Sequence, residues 1–494
     1  MKESNFMNDA INRVHALYAP EAFKYAATAV VEGLYKYFER SIIQERTRVW
    51  KNPKDVLKMV EGFLSENKSS LTQERAEKIV GVFLDNAHVL HSPHYMGHQV
   101  PPPMVASAPF DFLGSATNQG AGLYEMGPVS SMAERAVAHK LMGMIGFNLD
   151  QGDFIGTSGG SLANLTAILA ARNHRYKDFW KRGLSSSQTK GKYPAVVTSQ
   201  ESHYSISRAM GILGLGTDQV LTVPADSKRR MNPQSLERVL DKATQENCEV
   251  FCIIGTAGTT PTGAFDPLDK IGALANARKI WFHVDGAHGA SVLFSKQHKD
   301  LVKGIELADS VTWDAHKLLF VPSLSTFLLF KDKRASCTTF QQDAPYLHTE
   351  RSEDYDTITR TVECTKRSLA LSLWAMWSLY GASIFEDLVD VAFYQTRVFY
   401  KMLKESVDFI PLHEPESNIL CFKYFPEKLK GASDSAISEY QQLIREELVR
   451  RGEYYTTGTR LDGSYCLRIT LINPTTSKTH FNGLMDAIRK LDNL

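Results

Sequence analysis

Two short stretches of this chain end apolar runs in side chains that could do chemistry: His283-Val284-Asp285-Gly286-Ala287-His288 and Thr312-Trp313-Asp314-Ala315-His316-Lys317. Their spacing predicts an acid and a lysine at the ends of two neighbouring strands. Pyridoxal phosphate chemistry requires such a pair. A lysine, here Lys317, forms a Schiff base with the cofactor aldehyde, and a carboxylate, here Asp285, keeps the pyridine nitrogen protonated so that the ring accepts electrons. Either fragment alone reads as a turn or a solvated loop. A third stretch makes the combination harder to dismiss: Gly156-Thr157-Ser158-Gly159-Gly160-Ser161 follows Asp153-Phe154-Ile155 and opens a helical run from Leu162 to Arg172. A Gly/Ser-rich loop at a helix N-terminus presents free backbone N–H groups to a phosphate, and the helix dipole favours the negative charge. The spacing is neither G-x-G-x-x-G nor a P-loop, so a single phosphate is expected.

The elements that must position these residues follow from periodicity. Short β-rich runs at 195–198, 220–223, 250–254, 280–284 and 310–313 alternate with crossover helices at 233–244 and 267–278. This predicts a large α/β domain with a doubly wound, mostly parallel sheet, whose ligands gather at the carboxyl ends of the strands. An antiparallel return is expected at 324–330. Residues 1–90 carry helical periodicity and form an N-terminal helical segment. Residues 91–366 make the large cofactor-binding domain, and 367–494 a small C-terminal α+β domain that opens on a helix at 367–380 and continues helix, strand, helix, strand. The polar stretch 331–365 reads as a mobile loop.

Composition narrows the class. Lys plus Arg is 56 and Asp plus Glu is 55, so a net charge of +1 supplies no field for nucleic acid or an anionic membrane. No apolar run reaches the roughly eighteen residues of a membrane helix, and the first residues lack an apolar h-region, which makes a cytoplasmic protein the expectation. The six cysteines contain no C-x-x-C pair and read as buried free thiols. His88, His91, His94 and His98 lack the partners of a metal motif; a loop with one functional histidine is expected there, and no metal.

With these residues in place the chain resembles the group II pyridoxal-phosphate amino-acid decarboxylases, the family of glutamate, cysteine sulfinate, aromatic amino-acid and diaminobutyrate decarboxylases. The similarity runs from about residue 85 to the C-terminus and is clearest between 153 and 331. Its motifs are Gly159-Gly160-Ser161, Ser202-His203-Tyr204-Ser205, Thr256-Ala257-Gly258-Thr259-Thr260, His283-Val284-Asp285-Gly286-Ala287 and His316-Lys317. The resemblance implies fold type I, an obligate homodimer with its site near the subunit interface, and pyridoxal 5′-phosphate as cofactor. Carried over by residue, it implies that His203 stacks on the pyridine face and that Thr256 meets the cofactor's 3′-oxygen region. Ala287 would pack below the ring, while Gly160 and Ser161 hold the phosphate with His316. Arg468, inside the apolar run Cys466 to Pro474, would bind the substrate α-carboxylate; an arginine there is costly unless paired. Tyr355, in the polar loop, would return a proton to the substrate carbon. Asp314 departs from the asparagine of many members. A carboxylate beside a phosphate repels it unless neutralised or turned away, although other branches, diaminobutyrate decarboxylases among them, carry aspartate here.

The reaction so implied is α-decarboxylation of an L-amino acid to an amine and carbon dioxide. Leu123 to Pro128 and Gly263 to Leu268 are similar to the glutamate and cysteine sulfinate branch, which favours a small acidic substrate: glutamate, aspartate or cysteine sulfinate. Tyr95-Met96-Gly97-His98 followed by three prolines, together with Asp314, is similar to the branch acting on a diamino acid such as 2,4-diaminobutyrate. His98, Gln99 and Asn118 are the candidates for reading the substrate side chain. Another fold type I enzyme, an aminotransferase or a lyase, would share Asp285 and Lys317 without needing Tyr355. A noncatalytic cofactor-binding scaffold is the remaining alternative.

Overall fold

The structure, a computed structural model, describes residues 2–43, 46–47, 51–65, 71–184, 189–340 and 355–492. Eleven strands form two sheets among these residues. The larger contains β1 (Asp153–Thr157), β2 (Tyr193–Ser199), β3 (Val220–Val223), β4 (Cys248–Thr256), β5 (Trp281–Asp285), β6 (Ser310–Asp314) and β7 (Thr326–Phe330), in the spatial order β1-β7-β6-β5-β4-β2-β3. Neighbours from β6 to β3 pair parallel, and β7 runs antiparallel to both β6 and β1. Strands β1, β5, β6 and β7 are buried along their whole length, as continuous apolar strands covered on both faces must be. One face packs Val197, Ile253, Phe282, Val284 and Trp313 against helices, and the other Val196, Cys252, Ile254 and Leu328.

The antiparallel return begins at Thr326 rather than at 324, and the helix expected at 367–380 begins at Leu371. Its start is displaced because Lys366 and Arg367 are held as extended backbone: Gly120 bridges Arg367, and the Ala121 amide bonds the Lys366 carbonyl. Helix Leu371–Tyr380 and the first half of helix Ser383–Glu405 join the large core through Leu373, Met376, Phe385 and Phe393. A second core, with Phe399, Phe422, Ile444, Leu467 and Phe481, lies under the sheet of β8 (Phe409–Pro411), β9 (Ile419–Tyr424), β10 (Thr457–Leu461) and β11 (Ser464–Thr470), ordered β10-β11-β9-β8 and fully antiparallel. This half carries two more strands than the expected alternation. The Asp462-Gly463 turn between β10 and β11 has positive φ at both residues, the two-residue hairpin chemistry that a D-G pair signals.

Helices Lys2–Leu17, Pro20–Ile43, Pro53–Ser65 and Gln73–Asn86 make up the N-terminal segment. Of the polar stretch 331–365, residues 341–354 lie outside the described residues, and helix Lys333–Cys337 occupies part of the rest. Among the described residues no helix is long and apolar enough to cross a membrane. Cys252, Cys421 and Cys466 are buried, while Cys337 and Cys364 are exposed, so the expectation of buried thiols holds for only part of the set.

Candidate active site

Register brings the chemistry to one edge of the large sheet. Thr256, the last residue of β4, lies opposite Asp285, the last of β5, and Asp285 lies opposite Thr312 on β6. Two residues further along β6, Asp314 lies opposite Thr326. Lys317 follows directly, its Nζ 3.0 Å from Asp314 Oδ2. The predicted acid and lysine therefore do stand at neighbouring strand ends, as parallel neighbours with the same polarity require.

Asp285 is buried and held from both sides. The Ala287 amide donates to its Oδ1 at 3.2 Å, and Asn164 Nδ2 donates to its Oδ2 at 2.8 Å. Asn164 comes from helix Gly160–Arg175, and its amide also donates to Ser205 Oγ at 3.0 Å. An ionised carboxylate only accepts, which fixes the nitrogen of Asn164 towards Asp285 and its oxygen towards Thr312 Oγ1 at 2.9 Å and His283 Nε2 at 3.1 Å. His283 must then carry its proton on Nε2, leaving Nδ1 to accept from Ser310 Oγ at 2.9 Å. Burial pushes the His283 imidazole down to about 4, so the ring is neutral. The sequence reading missed Asn164 as a site residue. A signal existed: asparagine is unfavourable inside an apolar helical run and survives there when its side chain has partners to serve.

Asp314 is also buried. Burial pushes its carboxyl up, but the Lys317 and His316 charges and the 2.7 Å hydrogen bond from Thr326 Oγ1 outweigh it and hold it below the usual carboxylate range. It does not turn away from the helix N-terminus. A Cβ on Gly160 would sit 3.0 Å from Asp314 Oδ2 and 3.3 Å from the Ala287 methyl, so the glycine keeps a cradle open. Ser161 is exposed beside it. His316 Nδ1 faces the Ser325 carbonyl at 3.0 Å. Thr256 Oγ1 is buried with no partner, a polar atom that a ligand would satisfy. His203 Nδ1 accepts the Ser205 amide at 3.3 Å, the capping contact of a histidine before a helix; burial foremost lowers its pKa. His288, another residue the reading passed over, donates from Nε2 to Asn418 Oδ1 at 2.7 Å. Burial, then Lys317, presses it down to about 3.

Arg468 is buried on β11. Its Nε bonds the Thr260 and Pro261 carbonyls at 3.0 and 3.2 Å, its Nη1 meets Thr457 Oγ1 at 3.2 Å, and its Nη2 has no partner. Among the described residues no carboxylate pairs with it, and burial lowers its pKa. His98 belongs to the same neighbourhood: Met96 bonds both Tyr455 and Thr470, and His98 Nε2 lies 3.1 Å from Tyr455 Oη. Burial and then the Arg468 and Arg445 charges lower the His98 pKa. Gln99 follows it, half-buried. The other histidines of that run diverge, His91 to the Pro103 carbonyl and His94 to that of Glu453. Asn118 is exposed in the turn after helix Ala108–Ala116, with its amide on the Ser115 carbonyl. Tyr355 is half-exposed, with Arg135 5.6 Å above its ring and the Tyr124 ring 6.0 Å away. No contact among the described residues joins Asn118 or Tyr355 to Lys317. A cleft of about 920 Å³ lined by Trp180, Trp281, Lys177 and Lys333 opens at the opposite, N-terminal strand ends and holds none of these residues.

Residues 65–425 match the model of the pyridoxal-dependent decarboxylase conserved domain. The chain belongs to this family. It is 33% identical over 475 residues to mouse cysteine sulfinic acid decarboxylase, covering 90% of this chain and 91% of that one. To mouse acidic amino acid decarboxylase GADL1 it is 33% identical over 396 residues, covering 77% and 70%. The crystal structure of mouse CSAD superposes with a TM-score of 0.88 at 29% identity, covering 96% of this chain and 99% of that one. This decarboxylase is thus a fold type I α/β protein with pyridoxal phosphate as its cofactor, and the unpartnered Thr256 hydroxyl, the open cradle at Gly160 and the Lys317 amine are chemically suited to that group.

Proposed function

We propose that this decarboxylase converts a small acidic L-amino acid, cysteine sulfinate, glutamate or aspartate, into the corresponding amine and carbon dioxide. The observation that carries the acidic preference is a second positive charge beyond the one that takes the α-carboxylate: Arg445, like Arg468, bears on His98 and lowers its pKa, and no described carboxylate pairs with Arg468. A diamino acid would bring a cation into that field; an acidic side chain brings its complement. The family relatives named for cysteine sulfinic and acidic amino acids support the same reading.

Bound pyridoxal phosphate supplies an electron sink for the bond to the departing carboxylate. In the proposed arrangement Asp285, oriented by Asn164, would hold the proton on the ring nitrogen. Lys317 would attach the cofactor, Gly160, Ser161 and His316 would take the phosphate, Thr256 would meet the ring hydroxyl, and Ala287 and His203 would flank the ring. Arg468 turns Nη2 to the α-carboxylate and orients the breaking bond; its other nitrogens, tied to Thr260, Pro261 and Thr457, fix the guanidinium plane. His98, Gln99 and Asn118 read the side chain, and Tyr355 returns the proton to Cα. A homodimer completes the reading: Met7, Ile11, Val14, Leu17, Phe23 and Val31 leave apolar surface exposed on the first two helices, which a second copy would cover. The six free cysteines favour a reducing, cytoplasmic compartment.

Purified protein given a panel of acidic, aromatic and diamino acids, with carbon dioxide and keto acid both measured, tests this directly. Carbon dioxide from acidic substrates is the expected result. Preference for a diamino acid would overturn the substrate reading, and keto acid without carbon dioxide would overturn the reaction.

A further inference from the structure

The turn Tyr95-Met96-Gly97-His98 is closed by a residue without a task in the mechanism, Tyr455, on the segment that leads into β10. The Tyr455 amide bonds the His94 carbonyl at 3.2 Å and the Met96 amide bonds the Tyr455 carbonyl at 2.9 Å, so the two segments run side by side. Its ring stacks on Tyr95, with centroids 5.5 Å apart and planes 11° from parallel, and the His88 ring meets it edge-on at 4.4 Å. A Cβ on Gly97 would collide with that ring, so the glycine is what lets the tyrosine pack against the turn. Two hydroxyls then fix His98: Tyr95 Oη accepts its amide at 3.2 Å, and Tyr455 Oη lies 3.1 Å from its Nε2.

Burial, then the charges of Arg468 and Arg445, lower the His98 pKa, so near neutral pH the ring carries a single N–H on one nitrogen or the other. The partner of Nε2 decides which. A phenol oxygen shares its lone pair with the aromatic ring and donates better than it accepts. Among the described residues Tyr455 Oη meets no other acceptor and His98 Nδ1 meets no partner. The hydroxyl therefore donates to the Nε2 lone pair, which leaves the proton on Nδ1.

We propose that Tyr455 is a positioning residue that determines specificity: its hydroxyl holds His98 in the Nδ1–H form, so that the ring offers the substrate side chain a donor and not a lone pair. The inference rests on reading the substrate as acidic and His98 as the residue that meets its side chain. A carboxylate or sulfinate oxygen accepts from Nδ1–H. With the proton on Nε2 instead, the Nδ1 lone pair would suit the ammonium of a diamino acid and repel an anion. The same turn could thus serve either substrate class, and the direction of one hydroxyl proton selects between them. Arg445 and Arg468 draw an anion towards the site from a distance; the Nδ1–H places its oxygen.

The test is nitrogen NMR of the cofactor-loaded enzyme labelled with 15N-histidine, at about pH 8, above the ordinary histidine pKa of about 6.5. Shifts distinguish a protonated ring nitrogen from a bare one, and the signals absent from His98→Ala identify His98. Wild type is expected to show Nδ1 protonated and Nε2 bare. Tyr455→Phe, which keeps the stacked ring, is expected to move the proton to Nε2, the form an unconstrained imidazole prefers. The same variant should raise KM for the acidic substrate roughly two- to tenfold, the worth of one neutral hydrogen bond, with a smaller change in kcat. In a His98→Ala background the substitution should add nothing to KM, whereas a merely structural tyrosine would add its full effect there too. A proton on Nε2 in wild type, an unchanged tautomer in Tyr455→Phe, or additive effects on KM each overturn the proposal. If Tyr455→Phe does not fold, the wild-type tautomer alone decides. Nε2–H in an enzyme that prefers acidic substrates would sink this inference and leave the substrate reading standing; Nδ1–H in an enzyme that prefers a diamino acid would sink the substrate reading and leave the tautomer assignment standing.

Discussion

Asn164→Asp is the sharpest probe of how the acid at the end of β5 is maintained. The substitution is nearly isosteric, yet it replaces the 2.8 Å donor to Asp285 Oδ2 with an acceptor. Two carboxylates at that separation cannot both stay ionised, so the pair would share a proton and Asp285 would lose part of the charge it presents to the ring. The neutral control, Asn164→Ala, removes a hydrogen bond to a charged group, about 1.5–3 kcal/mol. If that energy serves to aim and hold Asp285, turnover falls roughly ten- to 150-fold in the alanine variant, and further in the aspartate variant. The alanine variant also leaves the Thr312 hydroxyl and the His283 Nε2–H without their acceptor, about 1–3 kcal/mol of stability for each group. Carbon dioxide release under saturating substrate, cofactor affinity of stripped protein and the urea midpoint separate these effects. Wild-type turnover and cofactor affinity in Asn164→Asp, with only the urea midpoint lowered, would refute a role for Asn164 in tuning the acid.

Arg468→Lys should lower turnover more than it weakens apparent affinity, since a lysine cannot reproduce the anchored planar fork; a change confined to KM would mean that Arg468 binds another part of the substrate. Tyr355→Phe should still release carbon dioxide but yield less amine per carbon dioxide, with aldehyde or pyridoxamine phosphate making up the difference. An unchanged ratio would assign the proton to another donor, His203 first. His283 gives a pH signature. Its folded pKa, about 4, lies below the unfolded value of about 6.5. The unfolded chain therefore binds a proton that the folded one refuses, and stability is lost as pH falls through that window, by about 1.4 kcal/mol per unit. In stripped protein His283→Gln should flatten the fall in urea midpoint between about pH 6 and 4.5 relative to wild type; parallel curves would mean that the imidazole is not neutral in the fold.

The parts of this site that were legible in the sequence are those whose chemistry and secondary-structure position coincide. Asp285 ends a buried strand and Lys317 follows another, and parallel strands share one polarity, so reading two strand ends was enough to bring them together. Gly160 was legible because loop composition and helix start coincide there. What escaped were residues whose role depends on a neighbour in space. Asn164 serves a carboxylate 121 positions away, and nothing along the helix names that partner. His288 was quoted inside a motif, yet its task comes from Asn418, 130 positions away, just before β9. The displaced helix start at Leu371 has the same origin, because backbone bonds from 120–121 to 366–367 override a local apolar pattern.

Charge in the assembled site makes the point more generally. Asp285 and Asp314 carry two negative charges, Lys317 and Arg468 two positive ones, and burial disfavours the charged forms of His203, His283 and His288. The cluster is thus close to neutral before any ligand enters. Beside Lys317 that leaves His316, 3.8 Å from Asp314, as the further side chain with a positive charge to offer an anionic phosphate. In the proposed arrangement the rest would come from backbone N–H groups at Gly160 and Ser161, which bring no counter-ion. The substrate's α-carboxylate would meet the unpartnered Nη2 of Arg468, and Arg445, whose charge also reaches His98, would favour an acid group on its side chain. The two anions would then be held by different means, mainly dipoles for the one that stays and guanidinium charge for the one that turns over. Strengthening the first by adding a cation near Gly160 should slow substrate release as well as tighten the cofactor, because it would also draw the substrate's acid groups away from Arg468.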